Sequence, residues 1–414
     1  IIRLVEQAQS DKAPTARFID RFSTYYTPLV VIIAALVVFV PVLVLGQDWA
    51  TWIYRGLALL LIACPCALVI STPAAIASAL AAGARRGLLM KGGAVLEALA
   101  HVRVVALDKT GTLTEGRPRV TNLVPFGRTE HEVLRWAAAV ETGTSHPIGR
   151  AVIALAEAQN VTVASASDVR VVAGKGIHGR FDGQEIVVAS PRYAQELVTP
   201  GDEVTALVAG LEQAGKTVVV VVAGGAAVGL IAMRDEVRPD ALVGLGALRS
   251  MGLQAVMLTG DNARPAAAIA AELRIDVRAE LMPEDKARIV RELASGGPVA
   301  KVGDGINDAP ALAAASVGIA MGSGTDVALE TADAALLNNR VADIALLVKL
   351  ARRTMAVIYQ NISISIGLKL VFLVTSVMGV TGLWVAIMAD TGATVLVTLN
   401  ALRLLRFGAE EPRR

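Results

Sequence analysis

The chain has 414 residues, enough for two or three domains, and its formal net charge of +2 gives no indication of a nucleic-acid-binding surface. Hydrophobic residues make up 54% of the sequence and charged residues 18%, a balance that departs from soluble globular proteins towards membrane proteins. The two cysteines, Cys64 and Cys66, are separated by a single residue, so no disulfide framework can be inferred from them.

Two pairs of long apolar segments predict four membrane helices. After a charged lead-in that we expect to be cytosolic, residues 25–46 and 56–83 contain no charge, and the aromatic-rich stretch between them is typical of a membrane interface. Further along, residues 356–379 contain a single charge, Lys369, and residues 383–402 contain only Asp390. Basic residues follow the first pair and flank the second pair on both sides, which predicts that these ends face the cytosol.

Four apolar runs of the soluble region predict parallel strands of a doubly wound α/β domain, at residues 102–107, 255–258, 299–302 and 316–321. Residues 117–233 show a different sequence pattern, with three strand-like runs and two helical stretches. This pattern predicts an inserted α+β domain. We therefore expect residues 1–100 to form the lead-in and first membrane hairpin, and residues 101–116 and 234–340 to form the α/β domain. Residues 341–414 are expected to form a second α-helical membrane hairpin and a short cytosolic tail.

Asp108 stands at the carboxyl end of the first predicted strand, the edge at which open α/β sheets bind their ligands. The glycine and threonines that follow it supply N–H and hydroxyl groups that suit a phosphate. A carboxylate in this position can attack phosphorus and form an aspartyl phosphate, whereas an isolated strand-end aspartate more often caps a helix. The pattern predicts a phosphoryl-transfer site built around Asp108.

Polar residues after the other predicted strands can converge on the same phosphate. Asp304 and Asp308 offer the carboxylate oxygens that Mg²⁺ prefers. Thr259 can hydrogen-bond a phosphoryl oxygen, and Lys286 can neutralise charge that develops during transfer. Thr110 stands where phosphatases with an aspartate nucleophile carry a second aspartate, and a threonine cannot act as general acid and base at neutral pH. The phosphoenzyme is therefore expected to persist.

Three motifs resemble the signature of P-type ion-pumping ATPases: Asp108-Lys109-Thr110-Gly111-Thr112, Thr259-Gly260-Asp261 and Gly303-Asp304-Gly305-Ile306-Asn307-Asp308. The resemblance implies a haloacid-dehalogenase-like fold for the α/β domain and transfer of the γ-phosphoryl group of ATP to Asp108. It also implies catalytic roles for a wider set of residues: Asp108, Lys109, Thr110, Thr259, Asp261, Lys286 and Asn307. The implied Mg²⁺ site is formed by Asp108, Thr110, Asp304 and Asp308.

The inserted domain resembles the nucleotide-binding domain of the heavy-metal branch of that family. Ser145-His146-Pro147 matches a motif whose histidine helps to orient the adenine. Glu141 and the segment Gly174-Lys175-Gly176-Ile177 match its other nucleotide contacts, and glycines there allow close approach of the backbone. Ala189-Ser190 departs from the Gly-Asn pair that the branch often carries near the end of this domain.

Cys64-Pro65-Cys66 lies within the second predicted membrane helix. The proline removes a backbone N–H, so the helix is expected to unwind and free carbonyl groups beside two thiolates, which together make a soft metal site. The alternative is a pair of buried thiols beside a tolerated kink. Lys369 and Asp390 each cost about 2.5–3.5 kcal/mol at mid-membrane, and counting at ~1.5 Å per residue puts them at the depth of Cys64. They are expected to share the metal site or to form a structural ion pair, two arrangements that are compatible.

Two thiolates and a carboxylate favour a divalent ion such as Zn²⁺ or Cd²⁺ over Cu⁺. Cys64, Cys66, Lys369 and Asp390 resemble the zinc/cadmium/lead subgroup of heavy-metal ATPases. The resemblance implies ATP-driven export of Zn²⁺, Cd²⁺ and Pb²⁺ with Mg²⁺ as cofactor and Lys369 as the counter-charge of Asp390. It implies a monomeric, multi-pass protein surrounded by lipid in a bacterial-type plasma membrane, with its catalytic domains in the cytosol.

Three alternatives stay open from the residues alone. The chain could be a membrane-tethered phosphatase of the haloacid-dehalogenase type, a Cu⁺ or Co²⁺ pump of the P-type ATPase family, or a non-catalytic metal-binding fragment. Thr110 argues against the phosphatase. The family hydrolyses its aspartyl phosphate with a Thr-Gly-Glu loop, and no such tripeptide occurs in this sequence. We therefore expect the chain by itself to bind ATP and metal without steady turnover.

Overall fold

A computed structural model describes residues 14–63, 66–144, 146–172, 174–199, 201–377 and 382–408. Cys64, Pro65 and Ser145, which belong to two of the predicted motifs, lie outside the described residues. The chain begins with three helices: α1 (Pro14–Leu45), α2 (Trp49–Ala63) and α3 (Cys66–Ala84). Helix α2 starts earlier than the predicted residue 56, because the Asp48 carboxylate accepts a hydrogen bond from the Thr51 N–H (2.9 Å) and caps it.

The soluble part opens with strand β1 (Leu88–Met90), helix α4 (Gly93–His101) and strand β2 (Val104–Asp108). A tight turn at Lys109–Leu113 follows Asp108. The chain then leaves for a second sheet, whose elements are β3 (Arg119–Pro125), α5 (Glu130–Glu141), α6 (Pro147–Ala158), β4 (Ser167–Val172), β5 (Gly176–Phe181), β6 (Gln184–Ala189), α7 (Pro191–Leu197), α8 (Asp202–Gln213), β7 (Thr217–Ala223) and β8 (Ala226–Arg234).

After β8 the chain returns to the first sheet. Its elements there are α9 (Ala241–Ser250), β9 (Gln254–Leu258), α10 (Ala263–Leu273), β10 (Asp276–Arg278), α11 (Pro283–Ala294), β11 (Val299–Gly303), α12 (Ala309–Ala314), β12 (Val317–Met321), α13 (Asp326–Thr331) and β13 (Ala334–Leu336). A single 3₁₀ turn, Ile306–Asp308, lies between β11 and α12.

The two sheets differ in the way their strands pair. The first has the order β1-β13-β12-β11-β2-β9-β10, and all its pairs are parallel except the edge pair of β1 with β13. The second is an antiparallel sheet in the order β3-β8-β7-β6-β5-β4. Strands β2, β11 and β12 are almost completely buried, as expected for a parallel sheet covered by helices on both faces.

Two long helices complete the described chain, α14 (Ala342–Val377) and α15 (Leu383–Leu402), and they pack against α3. Among the described residues, three helical segments are long and apolar enough to cross a membrane: Thr24–Leu45, Trp49–Ala84 and Ala342–Phe372. The second of these runs across the undescribed pair at 64–65. Helix α15, the fourth predicted span, has 20 residues and a single charge, Asp390.

Candidate active site and ion-binding region

Three adjacent parallel strands bring the predicted phosphoryl-transfer residues to one edge of the first sheet. Strand β2 lies between β9 and β11. Asp108 ends β2, Thr259 follows β9, and Asp304 follows β11. Carboxyl ends of parallel strands meet at the same edge, so loops that are far apart in sequence form one site there.

Asp108, Asp304 and Asp308 form a carboxylate cluster in which one donor atom from each residue lies within 4.8 Å of the others. Gly111 in the turn after β2 has a φ of +70°, and a Cβ at this position would overlap the Asp304 carboxylate, so only glycine leaves room for the cluster. Three clustered carboxylates are a donor set that Mg²⁺ accepts, and the residues therefore fit the ion that the sequence predicts. Thr110, the fourth predicted Mg²⁺ ligand, is half-buried within the turn.

Two predicted lysines are buried among these carboxylates. The Lys286 Nζ lies 2.5 Å from Asp108 Oδ1 and 3.1 Å from Asp308 Oδ1, at the beginning of α11. Lys109 forms an ion pair with Asp261 and thereby connects the turn after β2 with the loop after β9. Lys286 thereby keeps positive charge against the Asp108 carboxylate, the group on which a transferred phosphoryl group would add negative charge.

Burial and mutual charge set the protonation of the carboxylate cluster. Burial and the neighbouring Asp308 raise the pKa of Asp108, against the opposing charges of Lys301 and Lys286. Burial, with a smaller contribution from Asp108, raises the pKa of Asp304 to about 6. Burial alone would raise the pKa of Asp308 as well, but Lys301 and Lys286 together hold it below its ordinary value. The ionised form of the cluster therefore depends on these buried cations.

The remaining predicted catalytic residues differ in exposure. Thr259 is buried, and its hydroxyl oxygen accepts a hydrogen bond from the Asp261 N–H (3.1 Å), which shapes the loop after β9. Asn307 is exposed, within the 3₁₀ turn that carries Asp308. The structure brings Thr259 and Asp261 to the site edge through their loop, and it leaves the Asn307 side chain facing solvent.

Two residues at this site have no counterpart among the sequence predictions. Arg238 donates hydrogen bonds to the carbonyl oxygens of Gly111 (2.8 Å) and Thr112 (3.0 Å), and so fixes the turn that follows Asp108. Lys301 is fully buried in β11, with its Nζ 3.2 Å from Asp308 Oδ1. A charged residue inside a run otherwise typical of a buried strand was the available signal for Lys301. Arg238 follows the inserted sheet in an ordinary linking segment and carries no such signal.

The predicted nucleotide residues line one cavity of 320 Å³ in the second sheet, a volume that suits a small-molecule ligand. Its wall includes all four of them: Glu141, His146, Gly174 and Gly176. Gly176 has a φ of +154°, and a Cβ there would overlap the Val188 carbonyl oxygen, so only glycine allows β5 to pair closely with β6 at the wall of this cavity. Ser190 lies in the same wall, although the sequence departs there from the pattern of the family.

Burial changes the pKa values of two residues in the wall of this cavity. Burial raises the pKa of Glu141 to about 7. Burial and the neighbouring Arg150 lower the pKa of His146, so its imidazole is neutral at physiological pH. His146 Nδ1 accepts a hydrogen bond from the Ile148 N–H (3.3 Å) at the start of α6. An accepting Nδ1 carries no proton, so the proton of the neutral ring is on Nε2.

We predict that the affinity for nucleotide falls as the pH rises from 6 to 8. Protonated Glu141 can donate a hydrogen bond to a base nitrogen, whereas a carboxylate in this buried position can only accept and must be desolvated further. Binding then favours the protonated form, so the gain is present below pH 7 and is lost above it, by about tenfold over this range.

The measurement is calorimetric binding of a non-hydrolysable ATP analogue to the wild type and to Glu141→Gln. The neutral amide keeps a donor and an acceptor, so the variant should lack this pH dependence. Because terminal phosphates titrate at about pH 6, the informative quantity is the ratio of the two affinities at each pH. A ratio that does not change with pH would contradict the assignment of the proton to Glu141.

Lys369 and Asp390 are paired in the helical region that the sequence predicts to cross the membrane. The Lys369 Nζ lies 3.0 Å from Asp390 Oδ1 and donates a hydrogen bond to the Ile62 carbonyl oxygen (3.0 Å). Ile62 lies in the last turn of α2, immediately before the undescribed Cys64-Pro65 pair, and the half-buried Cys66 begins α3. Lys369, and Asp390 through it, therefore lie beside the last turn of α2, next to the undescribed Cys64-Pro65 pair.

Comparison with known proteins relates both parts of the chain to one class of pump. The haloacid dehalogenase-like hydrolase family matches residues 102–316. The zinc/cadmium/lead-transporting P-type ATPase of Escherichia coli (strain K12) is 53% identical over 407 residues, which cover 98% of this chain and 55% of that protein. A probable cadmium-transporting ATPase of Staphylococcus aureus (strain MRSA252) is 44% identical over 419 residues. The matched region covers 98% of this chain and 57% of that protein.

A solved structure gives the same relationship. The crystal structure of a zinc-transporting PIB-type ATPase in the E2.Pi state matches this chain with a TM-score of 0.78 at 52% identity. The match covers 98% of this chain and 66% of the chain in that crystal structure. The chain spans about half the length of the curated relatives it matches.

Proposed function

The chain belongs to the haloacid dehalogenase-like hydrolase family, as one of its heavy-metal P-type ATPases, and from this premise we propose that it forms the catalytic and ion-binding part of an ATP-driven exporter of divalent heavy-metal ions. Zn²⁺, Cd²⁺ and Pb²⁺ are the proposed cargo. The observation that carries the proposal is the convergence of Lys369, Asp390 and the Ile62 carbonyl oxygen beside the Cys64–Cys66 segment. A carboxylate, a backbone carbonyl oxygen and the sulfurs of Cys64 and Cys66 in their reduced form suit a borderline divalent cation.

We propose that Asp108 is the group that receives the phosphoryl group of ATP. Its carboxylate oxygen forms a bond with the γ-phosphorus while the bond to the bridging oxygen of ADP breaks, and ADP leaves with that electron pair. Lys286 lies against the same carboxylate and can neutralise the charge of the transferred oxygens. When bound at Asp108, Asp304 and Asp308, Mg²⁺ would supply further neutralisation of the phosphate oxygens.

The turn after β2 supports a long-lived phosphoenzyme. Arg238 holds the Gly111 and Thr112 carbonyl groups, so the backbone of the turn is fixed around the phosphate position. Thr110 lies where a phosphatase of this family would carry a general acid and base, and its hydroxyl cannot activate water at neutral pH. Storage of the phosphoryl group on Asp108 suits an enzyme that couples phosphorylation to ion movement and argues against a simple phosphatase.

The chain is a multi-pass membrane protein, and its basic residues after α3 and around α14 and α15 place the catalytic domains on the cytosolic side. We propose that the membrane is a bacterial plasma membrane. Function as a monomer surrounded by lipid stays a prediction.

The cargo is tested by phosphorylation with radiolabelled ATP in the presence of Zn²⁺, Cd²⁺, Pb²⁺, Co²⁺ or Cu⁺, each buffered to a known free concentration. We expect Zn²⁺, Cd²⁺ and Pb²⁺ to raise the phosphoenzyme level severalfold above that of the metal-free protein, because Asp390 adds an oxygen ligand to the sulfur ligands. Cu⁺ as the strongest activator would overturn the divalent assignment, and phosphorylation that ignores every metal would overturn coupling to transport.

A further inference from the structure

Lys301 is the largest fully buried side chain among the described residues that the proposed reaction does not use. It lies in the middle of β11, opposite Ala106 of β2 and Gly318 of β12, and these small neighbours leave space for its long side chain. Its Nζ donates a hydrogen bond to the Val302 carbonyl oxygen (2.8 Å) and lies 3.2 Å from Asp308 Oδ1. A fully buried lysine is rare and must be paired, and here the pairing is with a residue of the carboxylate cluster.

Lys301 and Lys286 contact the same oxygen of Asp308 from two different elements. Lys286 approaches from α11, with its Nζ 3.1 Å from Asp308 Oδ1, and Lys301 approaches from within the sheet. Lys286 also reaches Asp108, the proposed nucleophile, whereas the Lys301 ammonium contacts Asp308 and the Val302 carbonyl oxygen. The Asp308 carboxylate additionally packs on Gly303, where a Cβ would come within 2.6 Å of Oδ2. Asp308 is thus held in one position before any ligand arrives.

The charges of this cluster nearly balance without a metal ion. When all three carboxylates, those of Asp108, Asp304 and Asp308, are ionised, they face two ammonium groups, those of Lys286 and Lys301, which leaves one net negative charge. Lys109 also faces Asp108, but it adds no net charge because Asp261, its ion-pair partner, offsets it. A divalent cation alone would make the buried site net positive, which is unfavourable in a low-dielectric environment. A divalent cation that arrives with a phosphate would not.

We propose that Lys301 is a positioning residue that fixes Asp308 from inside the sheet and, by its charge, makes retention of Mg²⁺ depend on a phosphate group at Asp108. The inference rests on the proposed phosphoryl transfer to Asp108. Lys301 acts through Asp308 and through the charge of the cluster, and it does not contact the phosphate. In the free protein the site then releases Mg²⁺ readily, and the ion is held once nucleotide or phosphoenzyme supplies the missing negative charge.

The test compares Mg²⁺ binding to the wild type, to Lys301→Met and to Lys301→Gln, each as the full chain in detergent without nucleotide. Methionine matches the length of the lysine stem and removes its charge, and glutamine removes the charge but keeps a donor for Asp308. Mg²⁺ affinity is measured by calorimetry and by the rise in unfolding temperature with Mg²⁺ concentration. Both are repeated with beryllium fluoride, which serves as an analogue of the bound phosphoryl group.

We expect both variants to bind Mg²⁺ alone at least about tenfold more tightly than the wild type, because one opposing charge is gone. The gain in Mg²⁺ affinity that beryllium fluoride causes should shrink by a similar factor. Lys216→Met is the matched control, since that lysine pairs with Asn122 in the second sheet, and its Mg²⁺ affinity should equal that of the wild type. A purely structural role of Lys301 would lower the unfolding temperature without this change in the dependence on beryllium fluoride.

Unchanged or weaker binding of Mg²⁺ alone in folded variants would overturn the proposal. Failure of both variants to fold in metal-free buffer would overturn it too, because Lys301 would then be required for the sheet itself. The outcome is separate from that of the proposed function. A wild type that forms no phosphoenzyme from ATP would contradict the function, whereas the Mg²⁺ comparison needs no phosphoryl transfer.

Discussion

Replacement of Asp108 by asparagine is expected to reduce phosphate incorporation from ATP by at least about a hundredfold, to below detection. The amide has no nucleophilic oxygen, so no acyl phosphate can form. Asparagine has nearly the same shape and keeps a carbonyl oxygen that can accept from Lys286, which contacts Asp108 Oδ1 at 2.5 Å and is also held by Asp308. The site should therefore stay folded while the reaction is lost.

The measurement is acid-stable, hydroxylamine-labile incorporation of ³²P from labelled ATP. Binding of nucleotide should persist in Asp108→Asn, because the cavity around Glu141 and His146 belongs to the second sheet. Asp276→Asn is a suitable control, since this aspartate is exposed on β10 of the same sheet as Asp108. Labelled protein at the wild-type level in Asp108→Asn would show that another residue is the nucleophile.

The position of Asp108 was predictable because its determinants are local. An apolar run, a following aspartate and a glycine-containing turn predict a parallel strand with a ligand at its carboxyl end. The structure shortens that strand to Val104–Asp108 and shows that the neighbouring strands end immediately before Thr259 and Asp304. Each of these three predictions needed only a few consecutive residues.

Pairing and side-chain direction were not predictable in the same way. Strand β1 has only three residues and pairs antiparallel with β13, near the other end of the soluble part, and no local pattern carries that information. The same limit applies to Arg238. Its guanidinium donates a hydrogen bond to the Gly111 carbonyl oxygen, although the whole inserted sheet separates the two residues in the sequence. Long-range hydrogen bonds of this kind depend on the closure of the fold.

For Lys301 the sequence contained a signal, a lysine in an apolar run, but it did not indicate which residue pairs with that lysine. A lysine between the apolar residues of β11 is unexpected in a strand that is buried throughout. Sequence alone does not tell that Asp308, on the next turn, supplies the counter-charge. The partner could be identified only once the 3₁₀ turn at Ile306–Asp308 was seen to bring the carboxylate back over the strand end.

Replacement of Asp390 by alanine is the second change for which we expect a very large effect, namely loss of metal-dependent phosphorylation. The Asp390 carboxylate is the proposed oxygen ligand of the cargo ion, and Lys369 is its partner in the structure (3.0 Å). Without the carboxylate the ion loses an oxygen ligand and the charge of Lys369 is no longer offset by Asp390, so a divalent cation is both less coordinated and repelled. Affinity for Zn²⁺ should fall by at least about a hundredfold.

Lys369→Met is expected to act in the opposite direction on binding. The ammonium competes with the ion for Asp390, so its removal should raise Zn²⁺ affinity severalfold and slow the release of the ion. In the wild type the lysine can return to the carboxylate when the ion leaves, and its hydrogen bond to the Ile62 carbonyl oxygen (3.0 Å) keeps it nearby. Tighter binding with slower dissociation of Zn²⁺ would thus identify Lys369 as a built-in competitor of the cargo.

The double variant Asp390→Ala/Lys369→Met separates an ion-binding role from a structural one. If the pair serves only the packing of α14 against α15, the neutral double variant should bind Zn²⁺ as the wild type does. If Asp390 is a ligand, the double variant should fold as well as the wild type and still fail to bind. Equilibrium dialysis of Zn²⁺ against each purified protein measures this, with Asp48→Asn as the control because Asp48 caps α2 outside the ion site. Wild-type Zn²⁺ affinity in Asp390→Ala would limit the pair to a structural role and leave the ion to the sulfur ligands.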